Sequence, residues 1–275
     1  VSVSGGELSA ASAALTASTE NIALNSGSIA ANEVTLTATK GAISEVDGFA
    51  LSAPVLNTSA AGATTLLSKA NQLEQVNITE AGGSVTIGSA NSKNSNALQV
   101  ITDEQINGDL TVTNYDDESG KNNAILVSKS LQAAGDVILI NEEAAITVNS
   151  GAALACYDVA LGAKTAMTIN GSVNATRDAS LSSGAGMTIN GNVSATRDAS
   201  LKSSAGMSII GDVTAGNDAS LTAGQDFIQN AGTIAASDVA ITAQRNVLLN
   251  GGSMAANNNA ELVAQTGAIT ENNAY

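Results

Sequence analysis

The chain has no histidine and no tryptophan, and only one cysteine, one proline, two phenylalanines and three tyrosines in 275 residues. Each scarcity closes a class of function. Without histidine there is neither the commonest acid–base side chain and metal ligand nor any Ser-His or Cys-His nucleophile arrangement. The lone Cys156 forms no internal disulfide, and within "GAALACYDVAL" it reads as a buried small hydrophobe. With so few aromatics a bulky globular core is not available, and platforms for stacking sugars are almost missing. Basic residues are scarce too: 25 acidic side chains against 10 basic ones leave a net charge of −15, which repels nucleic acid and anionic lipid surfaces. No apolar run reaches the roughly eighteen residues of a membrane-spanning helix.

What is present is a repeat. "ATRDASL" occurs at 175 to 181 and again at 195 to 201, and residues 167 to 186 match 187 to 206 at sixteen of twenty positions. Asp158, Asp178, Asp198, Asp218 and Asp238 keep the interval, each followed three residues on by Leu161, Leu181, Leu201, Leu221 or Ile241. Near the start, "GELSAASAALTA" (6 to 17) and "GSIAANEVTLTA" (27 to 38) superpose at twenty-one residues, and the second resembles "GTIAASDVAITA" (232 to 243). Internal periods of this length dictate architecture before any local signal does.

Inside each unit apolar residues alternate with Ser and Thr in pieces of three to five, as Val34, Leu36 and Ala38 do. Period two is the strand signal, and the Gly, Asn and Asp between pieces are turn formers. A unit this short cannot bury its apolar face alone, whereas stacked units share a continuous core. The expectation is an all-β, right-handed parallel β-helix of about 20-residue coils with three short strands each, as one domain over 1–275. At roughly 4.8 Å per coil, about thirteen coils would extend roughly 60 Å. Leu15, Leu36, Leu181, Leu201 and Leu221 are expected to point inward. The small side chains suit a narrow coil, and so does the near absence of proline, which would remove a donor from the ladder between coils. Leucine-rich repeats overlap in period, but their spaced Leu and Asn framework is missing.

The G-[ST]-I-A-A-x-[DE]-V-x-[LI]-T-A units, with G-D-[LV] at 108 to 110 and 135 to 137, resemble the repeat shafts of filamentous haemagglutinin-like large bacterial exoproteins, adhesins exported by two-partner secretion. The resemblance covers nearly the whole chain, more loosely from 44 to 150. It implies an extracellular shaft that displays adhesive surfaces at a bacterial cell, with a glycan or protein receptor as partner, and it specifies no receptor. The amino-terminal secretion domain of that family carries Asn-Pro motifs, and the only proline here, Pro54, follows Ala53. With Val at position 1 and no charged and apolar leader, the chain is expected to be an internal or processed fragment. Near-identical coils also suggest an alternative, end-to-end self-association into a filament.

The aspartate column would place one carboxylate per coil, roughly 5 Å apart, close to the spacing of the two carboxylates of retaining glycosidases. Stacking produces that spacing automatically, and no member of the column stands apart as an acid would from a nucleophile. Turn capping by backbone N–H donors is the expected role, with Arg177 and Arg197 relieving repulsion that amounts to about 0.8 kcal/mol between neighbours in water. A divalent cation along the column is the other reading, although no G-G-x-G-x-D calcium repeat occurs. No catalytic residue, cofactor or metal site is assigned; a third function, a polysaccharide-processing β-helix, would need carboxylates clustered with basic or aromatic residues.

The repeat is interrupted in the middle. "GSVTI" (83 to 87), "GDLTV" (108 to 112) and "GDVIL" (135 to 139) still mark coils, but their spacing grows to 25 and 27 residues. The surplus lies in "GSANSKNSNA" (88 to 97) and "NYDDESGKNNA" (114 to 124), two polar loops expected to leave one side of the shaft, one above the other. Loops on a rigid scaffold are where binding residues gather. Tyr115, Asp116, Asp117, Glu118, Lys121, Asn122 and Asn123 are therefore the candidate binding group, with the tyrosine as aromatic contact. An EF-hand reading fails: with Gly120 as its sixth residue, positions one and twelve are Tyr115 and Leu126.

Overall fold

The computed structural model describes residues 1–90, 96–116 and 123–272. Among them every regular element is a strand, and the strands pair in parallel as a β-solenoid of about 12 turns with coils about 21 residues long. That is one turn fewer than the sequence period suggests, because the middle coils use more residues each. The chain divides into two compact units, Val1–Ala144 and Ala145–Tyr275.

In the second unit the repeat is read out almost literally. Val159–Ala163, Ala179–Ser183, Ala199–Ser203 and Asp218–Ala223 lie in register, so that Leu161, Leu181, Leu201 and Leu221 stack in one column that ends on Ile241. Met167, Met187, Met207 and Phe227 form a second column, and Val173, Val193, Val213 and Ile234 a third. All of these side chains are buried. Each fully buried Leu or Val contributes about 1.5–3 kcal/mol of transfer free energy, and the period-two pattern ensures that the Ser and Thr between them face outward. Glycine is obligatory where coils crowd: a Cβ on Gly191 would sit on the carbonyl oxygen of Gly171 one coil away.

The first unit uses the same device with less uniform columns. Ser2–Ala17 pairs with Ile22–Ala38, which pairs with Ala50–Ala60, and this pairs with Gln72–Ala81. A second stack runs through Ile43–Glu45, Thr64–Leu66, Val85–Ser89, Leu110–Asn114 and Val137–Asn141. Leu36 is fully buried as expected, but Leu15 is only half-buried. It keeps the inward register opposite Leu36, and its strand has a partner on one side only among the described residues. Pro54 is exposed and falls between the paired positions Ala53↔Leu73 and Val55↔Gln75, where no ladder donor is needed.

Candidate functional site

The two long turns do arise at one corner of the first unit. Val85–Ser89 pairs residue for residue with Leu110–Asn114, and the strands that follow the turns, Leu98–Thr102 and Ile125–Val127, pair with each other. Both turns therefore join equivalent strands of successive coils. The first is shorter than its sequence suggests, because Gly88 and Ser89 belong to the strand and Ser89 and Ala90 are buried.

A polar network lies inside this corner. Ser89, Asn114 and Asn141 share an inward column that the period-two pattern would otherwise fill with an apolar residue. Asn141 Oδ1 accepts hydrogen bonds from Asn114 Nδ2 (3.1 Å) and from the backbone N–H groups of Glu143 (3.1 Å) and Ala144 (2.9 Å). Asn114 Nδ2 and Asn141 Nδ2 donate to the carbonyl of Asn123 at 2.8 and 2.9 Å. One coil system away, Asn71 Oδ1 accepts from Leu51 N–H (3.0 Å), and its Nδ2 donates to Glu45 Oε2 (2.8 Å) and to the Gly88 carbonyl (3.3 Å). Amides fit here because each supplies donors and an acceptor to backbone groups that the widened turn takes out of the ladder.

Of the expected binding group, Tyr115, Asp116 and Asn123 can be placed, while Asp117, Glu118, Lys121 and Asn122 lie outside the described residues. Asp116 is exposed. Asn123 is fully buried, its main chain held under the corner by the two asparagine donors. Tyr115 is half-buried and folds back over the shaft. Its ring covers Gly88, where a Cβ would come within 2.6 Å of Cε2, and its hydroxyl donates to the Leu67 carbonyl at 3.4 Å. The Lys69 ammonium lies over the ring, 5.2 Å from the centroid, a cation–π distance.

The electrostatics of the corner are acidic. Burial, and then the charges of Glu142, Asp47 and Glu45, push the Tyr115 hydroxyl above the ordinary tyrosine value. Burial pushes the Glu45 carboxyl up as well, against the opposing hydrogen bonds from Ser68 N–H (2.9 Å) and Asn71. Sequence reasoning found Tyr115 but missed Glu45, Lys69, Gly88 and the inward asparagines. The available signal was a polar residue at the inward parity of a strand end, as in "VILIN" (137 to 141).

The aspartate column of the second unit is a capping device. Asp158 Oδ1 accepts the backbone N–H of Asp178 (3.0 Å), Asp178 that of Asp198 (3.3 Å), and Asp198 that of Asp218 (3.4 Å), each one coil on. Arg177 reaches back to chelate Asp158, with Nε at 2.9 Å, and Arg197 does the same to Asp178 at 2.8 Å. The Arg177 hydrogen bonds hold Asp158 below the usual carboxylate range, and Arg177 also lies 4.6 Å from the Tyr157 ring centroid. Cys156 is buried, its thiol donating to the Asp158 carbonyl at 3.0 Å. Among the described residues no three His, Cys, Asp or Glu side chains gather closely enough to hold a metal ion, and no helix is long and apolar enough to cross a membrane.

Comparison of the chain with protein-family models, curated proteins and solved structures found no match.

Proposed function

We propose that the chain is the shaft of an extracellular bacterial adhesin, presenting a binding corner for attachment to another cell or surface, and that it is not an enzyme. The observation that carries the reading is the contrast between monotonous coils, which repeat one surface, and the corner where two enlarged turns join equivalent strands of successive coils. The likeness of the G-[ST]-I-A-A units to haemagglutinin-like shafts supports the setting. The carboxylates of the regular coils are engaged with backbone N–H groups and arginines, which leaves them poorly suited to acid or nucleophile work.

The test is attachment of chain-coated beads to bacterial and host cells, compared with a variant in which both long turns are cut to the length of the ordinary turn at 46 to 49. Attachment that falls with the shortened turns supports the reading. Equal attachment leaves the shaft as a spacer, and cleavage of a polysaccharide by the purified chain overturns the non-enzymatic part.

A second reading, end-to-end stacking of copies, is suggested by the near-identical coils, such as 167 to 186 and 187 to 206, which present matching surfaces from one coil to the next. A filament length distribution by electron microscopy separates the two.

A further inference from the structure

Exposed large apolar side chains are rare on this protein, and scattered ones would need no explanation. In the first unit three of them are aligned. Val46 and Leu67 each follow by two residues the paired positions Ser44↔Thr65, and Leu67 follows Leu66, the partner of Ile87, so it stands beside Gly88. Gly88 pairs with Thr113 and Thr113 with Ile140. One outward column thus reads Val46, Leu67, Gly88, Thr113, Ile140, about 19 Å long at the spacing between parallel strands. Val46, Leu67 and Ile140 are 44%, 42% and 39% exposed, Gly88 and Thr113 between them are buried, and the ring of Tyr115 lies over Gly88.

Strand propensity does not explain this. The outward column two residues earlier holds Ser44, Thr65, Thr86 and Thr111 before it reaches Ile138, so polar side chains serve these strands equally well. Among the described residues around the apolar stripe, Asp47 and Glu142 are exposed carboxylates, and the Lys69 ammonium lies over the Tyr115 ring. Burying the stripe against an uncharged or acidic surface would leave those carboxylates without compensation, whereas a basic rim would pair with them. A second copy would set like charges together on the same face, and an anionic lipid surface would be repelled. Sugar stacking on Tyr115 is blocked where the Lys69 ammonium already lies over the ring.

We infer that the stripe Val46–Leu67–Tyr115–Ile140 is the docking surface for a protein partner that offers an apolar strip bordered by Lys and Arg. This rests on the adhesin reading and specifies its receptor class as protein.

The probe is a short peptide alternating Leu and Lys, set against Leu–Gln and Leu–Glu counterparts and a neutral oligosaccharide mixture, with binding to the full chain followed by interferometry at physiological salt. The Leu–Lys peptide should bind at least tenfold more tightly than the others. Leu67→Ser with Ile140→Ser should remove at least tenfold of that affinity, as should Asp47→Asn with Glu142→Gln, while Glu7→Gln with Glu261→Gln, which removes equal charge elsewhere, should change it less than twofold. All substituted groups are exposed, and a melt of each variant confirms folding. Absent binding, equal loss in the distant charge variant, or preference for the oligosaccharide would each overturn the inference. Cell attachment that survives the stripe variants sinks the inference and spares the adhesin; peptide binding by a chain that attaches to no cell does the reverse.

Discussion

The regular coils of the second unit and the enlarged coils of the first solve one problem differently. Both must satisfy backbone groups at the corners of a narrow stack. In the second unit the corner is tight, so the next coil's N–H groups come within reach of an outward aspartate, and the same residue serves coil after coil. In the first unit buried amides from Asn71, Asn114 and Asn141 bond N–H and C=O groups at the corner. The aspartate column caps from the surface, and the asparagines cap from inside. Among the described residues, the opened corner is a place where the surface departs from the repeat.

The sharpest way to break the comparison is at a core column. Leu201→Asp in the second unit places a charge between Leu181 and Leu221, both buried, and should cost several kcal/mol, seen as a large drop in the urea midpoint of that unit. Leu15→Asp, at the same inward parity but half-buried, should cost well under half as much. Equal losses would mean that the columns do not carry the stability.

Next in size is Asn141→Ala. It leaves the backbone N–H groups of Glu143 and Ala144 and the Asn114 amide without their acceptor in a dry corner, at about 1–3 kcal/mol for each group that water cannot reach. A loss of about 2–4 kcal/mol is expected, with lowered hydrogen-exchange protection at residues 143 and 144. Asp198→Asn in the other unit keeps an acceptor oxygen and should be nearly neutral.

The two corners also respond to pH with opposite signs. Asp158 is held below its unfolded value by Arg177, so its contribution is present above the ordinary aspartate range and fades as pH falls through the lower folded value. Glu45 is raised by burial, so its contribution is complete below the ordinary glutamate range and is lost as pH rises through the higher folded value. Between neutrality and mild acid the first unit should gain relative stability as Glu45 takes its proton, and Glu45→Gln should abolish that gain. Asp158→Asn should instead remove a loss that appears only at lower pH. Thermal melts across this range check both.

Much of this was legible in the sequence and some was not, for a physical reason. Strict repetition makes columns readable because each residue's neighbour is its own counterpart one period away: Leu181, Leu201 and Leu221 could be placed inward from spacing alone. The corner residues repeat less strictly: Ser89, Asn114 and Asn141 share a column, but at uneven intervals. Asn123 looks like any polar loop residue, and its carbonyl is held by Asn114, nine residues away at the other end of the same turn, and by Asn141, eighteen residues away on the next coil. Leu15 was placed on the correct face, but how far a face is covered depends on what stacks upon it, which alternation does not encode.

The smallest expected effect tests the opened corner most directly. Gly88→Ala adds one methyl group where the Tyr115 ring lies, 2.6 Å from Cε2. That contact is too short to persist, yet the obstacle is the far end of a side chain that can swing away, so the strand should survive with a stability loss of about 1 kcal/mol or less. What should change is the tyrosine. Lifted from Gly88, its hydroxyl leaves the Leu67 carbonyl and the carboxylates of Glu45, Asp47 and Glu142, which together with burial hold its ionisation high. The ultraviolet titration of Tyr115, isolated by replacing the other two tyrosines with Phe, should move down toward the ordinary tyrosine range, while Gly162→Ala, where a Cβ meets open space, should leave it in place. If the Gly88 variant titrates like the parent, the ring does not rest on that glycine, and the folded-back tyrosine that joins the two halves of the stripe is not there.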